Sequence, residues 1–379
     1  MAARSARPDS GFDVVVVGAG VVGLAVAAAF ARDGRSVLVV ERDVGIARGI
    51  TSRNSEVVHA GIYYPADSLK AELCVRGRRA LYTWCAERRV DARRIGKLIV
   101  ATAEGEEPIL EDLQARGRAN GVERLDWIDA AEVARLEPAV AARAALLSPE
   151  TGIVDGHGLC LSLLAEAESR GAVLMLAHEV RALAPRSFGW SVELQGPERA
   201  AERVDAELVV DAAGLDADRV AGLAGLDVDG LAWRQHPCKG DYFSLAPGAG
   251  IHLERLVYPV PQQAGLGIHA TLDLHGRIRF GPDAAYVEAI DFDVDPAKAA
   301  LFGEAAGRYL PGLRAEALSP DYAGIRPKLA GPGEAFRDFV IEETTAHGAP
   351  GFVACVGIES PGLTAALAIG ERVLAQVSR

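Results

Sequence analysis

The chain has 379 residues, of which 50% are apolar and 24% are charged. This length suggests two domains at roughly 100–200 residues each, and the composition excludes a disordered chain. The net charge of −12 argues against broad nucleic-acid binding, which needs a basic surface to neutralise phosphates. A small anionic substrate remains compatible with this charge, because it needs only a local cationic pocket.

Glycine and cysteine narrow the class of protein further. The chain has 41 glycines, an excess over the usual share of about 7%, with no G-X-Y period. Its cysteines are Cys74, Cys85, Cys160, Cys238 and Cys355. They form no C-x-x-C pair, so they indicate neither a disulfide framework nor a structural zinc site. We therefore expect a reduced, cytoplasmic protein without a bound metal.

The first predicted elements are a strand, a glycine turn and a helix. Residues 1–11 are polar and are predicted to be disordered. Four consecutive valines, 14–17, indicate a buried strand, and helix-forming residues follow Gly20. The apolar stretch 14–31 imitates a secretory signal peptide, but the glycines inside it favour a strand, a turn and a helix.

The turn has the pattern G-x-G-x-x-G at Gly18, Gly20 and Gly23. It follows a strand, opens a helix, and precedes a second β-branched strand that ends at Glu41. Gly18 permits the tight turn, Gly20 lets a pyrophosphate approach the backbone, and Gly23 lets the helix pack closely on the strand. Glu41 can accept hydrogen bonds from a ribose, and the helix N-terminus can hold phosphates. The pattern therefore predicts a dinucleotide site.

The rest of the chain favours FAD over NAD as the dinucleotide. After Glu41 the chain leaves the repeating βα pattern of a simple NAD dehydrogenase, and it has no second G-x-G-x-x-G after a strand. After the predicted strand-helix-strand unit, a helix is expected in the stretch that ends at about residue 87. The further predicted helices are 106–121, 129–136, 159–170 and 363–377. The further predicted strands are 97–102, 173–176, 180–183, 190–194, 208–211, 339–341 and 352–356, with mostly strands from 239 to 280.

Nine motifs, spread over nearly the whole chain, carry a resemblance. They occupy residues 54–64, 68–71, 74–77, 96–102, 208–214, 239–243, 258–261, 266–269 and 281–284. Together they resemble the L-2-hydroxyglutarate dehydrogenase/oxidase family of the D-amino-acid-oxidase-like FAD superfamily. The segment 285–321 is shorter than the family's helical insertion. The closing segments 324–328 and 357–364 also differ, and the first of them looks more like the amine-oxidising branch of the superfamily.

The resemblance implies an α/β fold. A Rossmann-like FAD-binding domain with a three-layer ββα arrangement is expected, together with a mixed-sheet substrate domain over the flavin. The FAD-binding domain is discontinuous, over 12–90, 145–225 and 335–379. The substrate domain consists of 91–144 and 226–334. No segment is predicted to cross a membrane.

The resemblance also implies how FAD is held. We expect non-covalent FAD, with attachment to a histidine as a minor option. The cofactor-binding residues that the resemblance implies are Gly18, Gly20, Val22, Gly23, Glu41, Arg42, Thr51, Ser52, His59, Val180, Ala213, Gly214, Gly357, Glu359, Gly362, Leu363 and Thr364. In the superfamily the last helix begins at the flavin pyrimidine ring, where its positive dipole end stabilises negative charge.

Two histidines are candidates for the catalytic base. Oxidation of a 2-hydroxy acid needs a group that takes the hydroxyl proton while a hydride leaves Cα for flavin N5. In the resembled family His59 lies at the flavin, and a neutral imidazole suits this task. His269, at the end of the predicted strand 266–268, is the alternative base or a ligand of the substrate hydroxyl. The alternative for His59 is a purely structural role, in which it holds the flavin loop by a hydrogen bond.

Cationic and aromatic residues complete the predicted site. Arg326 is the first choice for a substrate carboxylate, because a guanidinium can bind a carboxylate with two hydrogen bonds. Lys239 is the second choice and Arg53 the third. Tyr242 and Tyr258 could offer hydroxyls to the substrate or form walls of the pocket, as could Tyr63.

These observations predict an FAD-dependent enzyme that oxidises a small 2-hydroxy acid, with L-2-hydroxyglutarate as the expected substrate. Oxygen or a quinone is the expected electron acceptor, and meeting a quinone would place the enzyme against the inner face of the membrane. An amine or amino-acid oxidase of the same superfamily, acting on glycine, sarcosine or a D-amino acid, is the alternative. A flavin-binding redox sensor without turnover is more remote.

Overall fold

The computed structural model describes residues 11–198, 201–261 and 267–377. Residues 1–10 of the predicted disordered start and Leu266 of the predicted strand 266–268 lie outside the described residues. The helices are α1 (Val21–Arg32), α2 (Leu69–Arg88), α3 (Glu107–Ala119), α4 (Ala130–Leu136), α5 (Gly156–Glu168), α6 (Ala217–Leu223), α7 (Ala299–Gly307) and α8 (Gly362–Val377).

The strands belong to three sheets. In chain order they are β1 (Gly11–Val17), β2 (Val37–Val40), β3 (Val57–Val58), β4 (Ala92–Arg93), β5 (Lys97–Ala101), β6 (Asp126–Asp129), β7 (Ala144–Ser148), β8 (Gly152–Val154), β9 (Val173–Met175), β10 (Glu179–Pro185), β11 (Trp190–Gln195), β12 (Ala201–Asp211), β13 (His236–Leu245), β14 (Leu256–Pro259), β15 (Ala270–Leu272), β16 (Ile278–Phe280), β17 (Ala285–Tyr286), β18 (Leu318–Lys328), β19 (Val340–Glu343) and β20 (Phe352–Val356).

The first sheet has the strand order β10-β11-β12-β1-β2-β9, with β20 beside β12 and β19 beside β20. At its centre β1 pairs in parallel with β2 and β12. Val14 and Val16 belong to a core cluster with α1, α5 and α8, whereas Val15 and Val17 belong to a cluster with β10, β11 and α6. Because both faces of β1 are covered, the strand is continuously apolar instead of alternating.

The second sheet has the strand order β17-β13-β16-β15-β14-β5-β7-β6, with β18 beside β13. The long antiparallel pair β13–β18 places Cys238 opposite Arg326 and shifts register between Asp241 and Phe243. The parallel pair β5–β14 places Ile99 opposite Tyr258. A small third sheet, β3-β8-β4, lies beside the segment that begins at His59.

The structure confirms the α/β fold class and most of the predicted elements, including β1–α1–β2 and the closing helix. Three predictions need correction. Helix α5 begins at Gly156, earlier than expected, because the Asp155 carboxylate caps it by accepting from the Gly158 N–H. Strand β12 begins at Ala201 because it pairs along β11. His269 precedes β15 instead of ending a strand. Strands β3, β4, β6, β7, β8, β17 and β18 and helices α6 and α7 were not predicted.

Helices α2 and α8 cross at a glycine. A Cβ atom at Gly77 would overlap the Thr364 carbonyl oxygen and would lie 2.6 Å from the Ala365 Cα. The neighbour is helix backbone, which cannot rotate away as a side chain could. The crossing therefore requires glycine at this position, and it fixes the start of α8 at Gly362 against the segment after β3.

We predict that Gly77→Ala lowers the free energy of unfolding by about 1–3 kcal/mol, because the added methyl group forces the two helices apart. The measurement is equilibrium unfolding in urea. Gly307→Ala is the matched control, since a Cβ there meets no atom within 4 Å in α7. Equal stability of the two variants would contradict the packing argument.

Candidate active site

A large cavity, of about 800 Å³, is lined by residues from both large sheets. The glycine turn after β1 and the end of β2 contribute from the first sheet, and β13, β14 and β18 contribute from the second. The start of α8 and the segment after β3 complete the lining. The cavity is therefore large enough for an extended ligand that meets both sheets at once.

The glycine turn brings backbone very close to backbone. Gly18 has a φ of +104°, and a Cβ atom there would lie 2.5 Å from the Ala212 carbonyl oxygen. A Cβ atom at Gly23 would overlap the Gly18 carbonyl oxygen, whereas one at Gly20 would meet only the Thr51 Oγ1, at 3.1 Å. Gly18 and Gly23 thus serve the turn itself, and Gly20 leaves room in front of the helix for a ligand.

The start of α1 has the features of an anion site. Its N-cap is Gly20, which offers no capping side chain, so backbone N–H groups at this end are left for a ligand. The Thr51 Oγ1 accepts one of them, from Val21, at 3.1 Å. The Glu41 carboxylate accepts from the Ala19 N–H at 2.7 Å and lines the same cavity. This arrangement of N–H groups and one acid fits the pyrophosphate and ribose of a dinucleotide.

Most of the predicted cofactor residues come together in the cavity. Those that line it are Gly18, Gly20, Val22, Glu41, Arg42, Thr51, His59, Ala213, Gly214, Glu359, Gly362, Leu363 and Thr364. Arg42 forms an ion pair with Asp216 at 2.6 Å. Val180 lines a small second cavity that also contacts Glu41 and Arg42.

Besides Val180, three predicted cofactor residues do not line the large cavity. Gly23 packs against the glycine turn, as described above. Ser52 is exposed, and its hydroxyl donates to the carbonyls of Arg48 and Gly49. The Gly357 N–H donates to the Gln235 side chain at 2.9 Å. These residues shape the backbone around the cavity without facing it.

His59 stands at the cavity wall directly after β3. Its backbone N–H donates to the Thr364 Oγ1 at 3.0 Å, and its Nε2 lies 3.4 Å from the Ser360 Oγ. Its Nδ1 is buried without a hydrogen-bond partner among the residues that the structure describes. Burial and the nearby charge of Lys97 lower the pKa of His59 to about 3. The imidazole is therefore neutral near pH 7.

Aromatic rings form another part of the cavity wall. Tyr258 stacks on His269 with ring centroids 3.5 Å apart, and both residues line the cavity. Tyr242 also lines it, stacked on Tyr322 and with its hydroxyl 2.9 Å from the Ser55 Oγ. The structure thus brings both candidate histidines and all three predicted tyrosines, including Tyr63, to one cavity.

Arg326 lies at the cavity, as predicted, whereas Lys239 does not. Arg326 lines the cavity, but its guanidinium already donates to the carbonyls of Cys238, Lys239 and Asp283. Lys239 lies on the opposite face of β13 from Tyr242 and pairs with Asp291 at 3.0 Å. It is absent from the cavity lining, so the structure gives it no contact with a ligand there.

The sequence analysis missed a cluster of charges in the cavity. The Glu359 carboxylate lies 2.8 Å from the Lys70 ammonium and 3.1 Å from that of Lys328, and all three residues line the cavity. Burial raises the pKa of Glu359, but the two lysines outweigh it and hold the pKa below its usual value. The cluster joins α2, β18 and the loop before α8. No sequence pattern links these distant residues.

Lys97, the first residue of β5, was also missed. It is 1% exposed, and its ammonium lies 4.6 Å from the ring centroids of Tyr63 and Tyr258. Burial lowers its pKa to about 7. The only signal in the sequence was a single lysine that opens an otherwise apolar strand.

Within the described ranges, no group of three or more His, Cys, Asp or Glu residues could hold a metal ion. The five cysteines are free and buried. In the part of the chain that the structure covers, no helix is both long and apolar enough to cross a bilayer.

Comparison with known proteins gives consistent results. A family profile described as FAD dependent oxidoreductase matches residues 13–376. The mitochondrial L-2-hydroxyglutarate dehydrogenase of Arabidopsis thaliana is 40% identical over 95% of this chain and 82% of its own length.

Solved structures agree on the fold. An L-α-glycerophosphate oxidase from Mycoplasma pneumoniae with FAD bound superposes with a TM-score of 0.87 at 27% identity, over 97% of this chain and 95% of that one. Glycine oxidase from Geobacillus kaustophilus superposes with a TM-score of 0.79 at 22% identity, over 98% of this chain and 95% of that one. The second similarity shows a shared fold alone.

We predict that Glu41→Ala weakens FAD binding by roughly 10–100-fold, because a hydrogen bond to a charged group contributes about 1.5–3 kcal/mol. The measurement is the quenching of flavin fluorescence when FAD is titrated into the apoprotein. Glu111→Ala, at an exposed position on α3, is the control and should bind FAD as the unaltered protein does. An unchanged dissociation constant for Glu41→Ala would remove Glu41 from the FAD site.

Proposed function

The chain belongs to the family of FAD-dependent oxidoreductases, and we propose that it oxidises L-2-hydroxyglutarate to 2-oxoglutarate. The observation that carries the proposal is that a neutral His59 lines the same cavity as the glycine turn of the dinucleotide site and several cationic side chains. The 40% identity to a plant protein named for this activity supports the same substrate.

The chain's own residues suffice to hold FAD along the cavity. The glycine turn and the start of α1 would bind the pyrophosphate, and Glu41 would bind the ribose. The start of α8, at Gly362, lines the same cavity, and its positive dipole end would stabilise negative charge on the bound cofactor. When bound, FAD supplies the two-electron acceptor that takes a hydride from the substrate Cα.

His59 would take the proton of the substrate hydroxyl. We assign the proton to Nε2, because Nδ1 is buried and Nε2 lies beside Ser360, which lines the cavity. The O–H bond breaks toward Nε2, and its electron pair forms the carbonyl of the product as the hydride leaves Cα. His269, stacked on Tyr258, is left to bind or orient the substrate.

The charges of the cavity suit a dicarboxylate. Arg326, Lys70 and Lys328 line it together with Glu359, which leaves an excess of positive charge. A dianion gains more from this excess than a zwitterionic amino acid, whose ammonium would be repelled. The alternative, an amine or amino-acid oxidase, is favoured only by the Gly-Ile-Arg-Pro-Lys segment at 324–328 and by a shared fold.

Two further parts of the account are proposals. We propose the discontinuous division into FAD-binding and substrate domains. Because β7 pairs with β5, a strand of the substrate domain, we place the start of the second FAD-binding segment after the end of β7 instead of at 145. We also propose a cytoplasmic location, which the five free cysteines support because thiols persist in a reducing compartment.

Anaerobic addition of candidate substrates to the FAD-loaded protein tests the activity. L-2-Hydroxyglutarate should bleach the flavin band near 450 nm, a property of the cofactor itself, and should yield 2-oxoglutarate. Bleaching by glycine, sarcosine or a D-amino acid instead would move the assignment to the amine oxidases. No bleaching with any of them would favour a non-catalytic flavoprotein. Turnover with oxygen and with a quinone analogue then identifies the electron acceptor.

We predict that His59→Ala retains FAD but slows flavin reduction by about 10²–10⁴-fold, the usual contribution of a general base. Stopped-flow absorbance measures this rate directly. His252→Ala, an exposed histidine away from the cavity, is the control and should reduce at the unaltered rate. If His59→Ala reduces as fast as the control, His59 is not the proton acceptor.

A further inference from the structure

Lys97 is a buried cation behind the wall of the cavity. Tyr63 and Tyr258 line the cavity, and the Lys97 ammonium lies 4.6 Å from the centroid of each ring. Lys97 itself does not line the cavity. Over the described ranges, the structure gives its ammonium no carboxylate partner.

Packing does not explain a lysine at this position. An ammonium taken out of water without a counter-ion is strongly disfavoured, and contacts with ring faces return only part of that cost. An apolar side chain of similar size would fill the same space without the penalty. The unpaired charge of Lys97 therefore calls for a function that uses it.

We propose that Lys97 is a specificity-determining residue, whose buried and unpaired positive charge behind Tyr63 and Tyr258 draws a dicarboxylate ligand into the cavity. It acts without touching the ligand, because the field of a buried charge is weakly screened. The inference rests on the proposed function, since it assumes that the substrate carries two carboxylates.

The titratable groups around Lys97 come from three elements. His59 and Tyr63 lie on the segment after β3, Cys74 lies on α2, and Tyr258 lies on β14 with His269 stacked on it. Burial raises the pKa of Cys74 to about 12 and lowers that of His59 to about 3. Neither group changes charge between pH 6 and 9, so Lys97, with a pKa of about 7, titrates among them in that window.

The sign of the pH dependence follows from this. Below pH 7 Lys97 is charged and attracts an anion, and above pH 7 it loses the proton and the attraction. A bound dianion favours the charged form, so it binds with uptake of a proton. We expect glutarate, an unreactive dicarboxylate, to bind the FAD-loaded protein roughly tenfold more weakly at pH 9 than at pH 6, since one pKa unit of coupling corresponds to a factor of ten.

Two measurements test the inference. The dissociation constant of glutarate is obtained from the change that binding causes in the flavin spectrum. The proton uptake on binding is obtained by calorimetry in buffers of different ionisation enthalpy. Lys97→Met should bind glutarate with no inflection near pH 7 and should match the unaltered protein only at pH 9. Lys97→Arg, which stays charged, should bind tightly across the range. His269→Gln should keep the inflection, which separates Lys97 from the histidine on Tyr258.

The outcomes separate the two proposals. If glutarate binds but the unaltered protein shows neither the inflection nor proton uptake, or if Lys97→Met retains both, the inference about Lys97 is wrong. If neither variant folds, the absence of the inflection and of proton uptake in the unaltered protein still refutes the inference. If glutarate does not bind at any pH, the dicarboxylate substrate of the proposed function is contradicted instead.

Discussion

The structure depends on how closely the turn after β1 approaches the backbone around it. No side chain fits at Gly18 or Gly23, because a Cβ atom at either position would lie closer to a carbonyl oxygen than ordinary van der Waals contact allows. This closeness lets α1 begin at the edge of the parallel sheet, with its N-terminus open to the cavity. A second close contact, between a Cβ position at Gly370 and the Ala25 carbonyl oxygen at 2.6 Å, seats α8 against α1. Close contacts at glycine thus position both of the helices whose starts face the cavity.

Burial sets the charge states of the ionisable side chains at the part of the cavity around His59. It lowers the pKa of His59 and of Lys97, and it would neutralise Glu359 if Lys70 and Lys328 did not hold that carboxylate ionised. The result is a neutral imidazole in surroundings with an excess of positive charge. The neutral imidazole has a lone pair free for the proton of a hydroxyl group, and the positive surroundings attract an anionic substrate.

The sequence predicted those parts of the fold and site that local patterns encode. The valine run, the glycine spacing and the acid at Glu41 belong to one short stretch, and the structure confirms the strand, turn and helix there. His59, which the sequence analysis selected as a candidate base, also lines the cavity. These features depend on neighbours in the chain, so the pattern alone sufficed.

The remaining features depend on tertiary contacts. Lys239 was expected at the substrate, but the alternation of β13 turns it away from the face of Tyr242, and Asp291 neutralises it. The pairing of Lys70 with Glu359 joins residues 289 positions apart, beyond the reach of any local pattern. Lys97 lies in a strand that the sequence predicted, yet its burial without a counter-ion appears only when Tyr63 and Tyr258 pack over it.

The central claim is that one cavity brings a bound FAD and the Cα–H bond of a 2-hydroxy acid together beside His59. The most direct measurement is the rate of anaerobic flavin bleaching by L-2-hydroxyglutarate with hydrogen or deuterium at C2. The account predicts bleaching by both, slower with deuterium because that bond breaks in the observed step, and none by the D-enantiomer. Equal rates with the two isotopes, or no bleaching by the L-enantiomer, would contradict it.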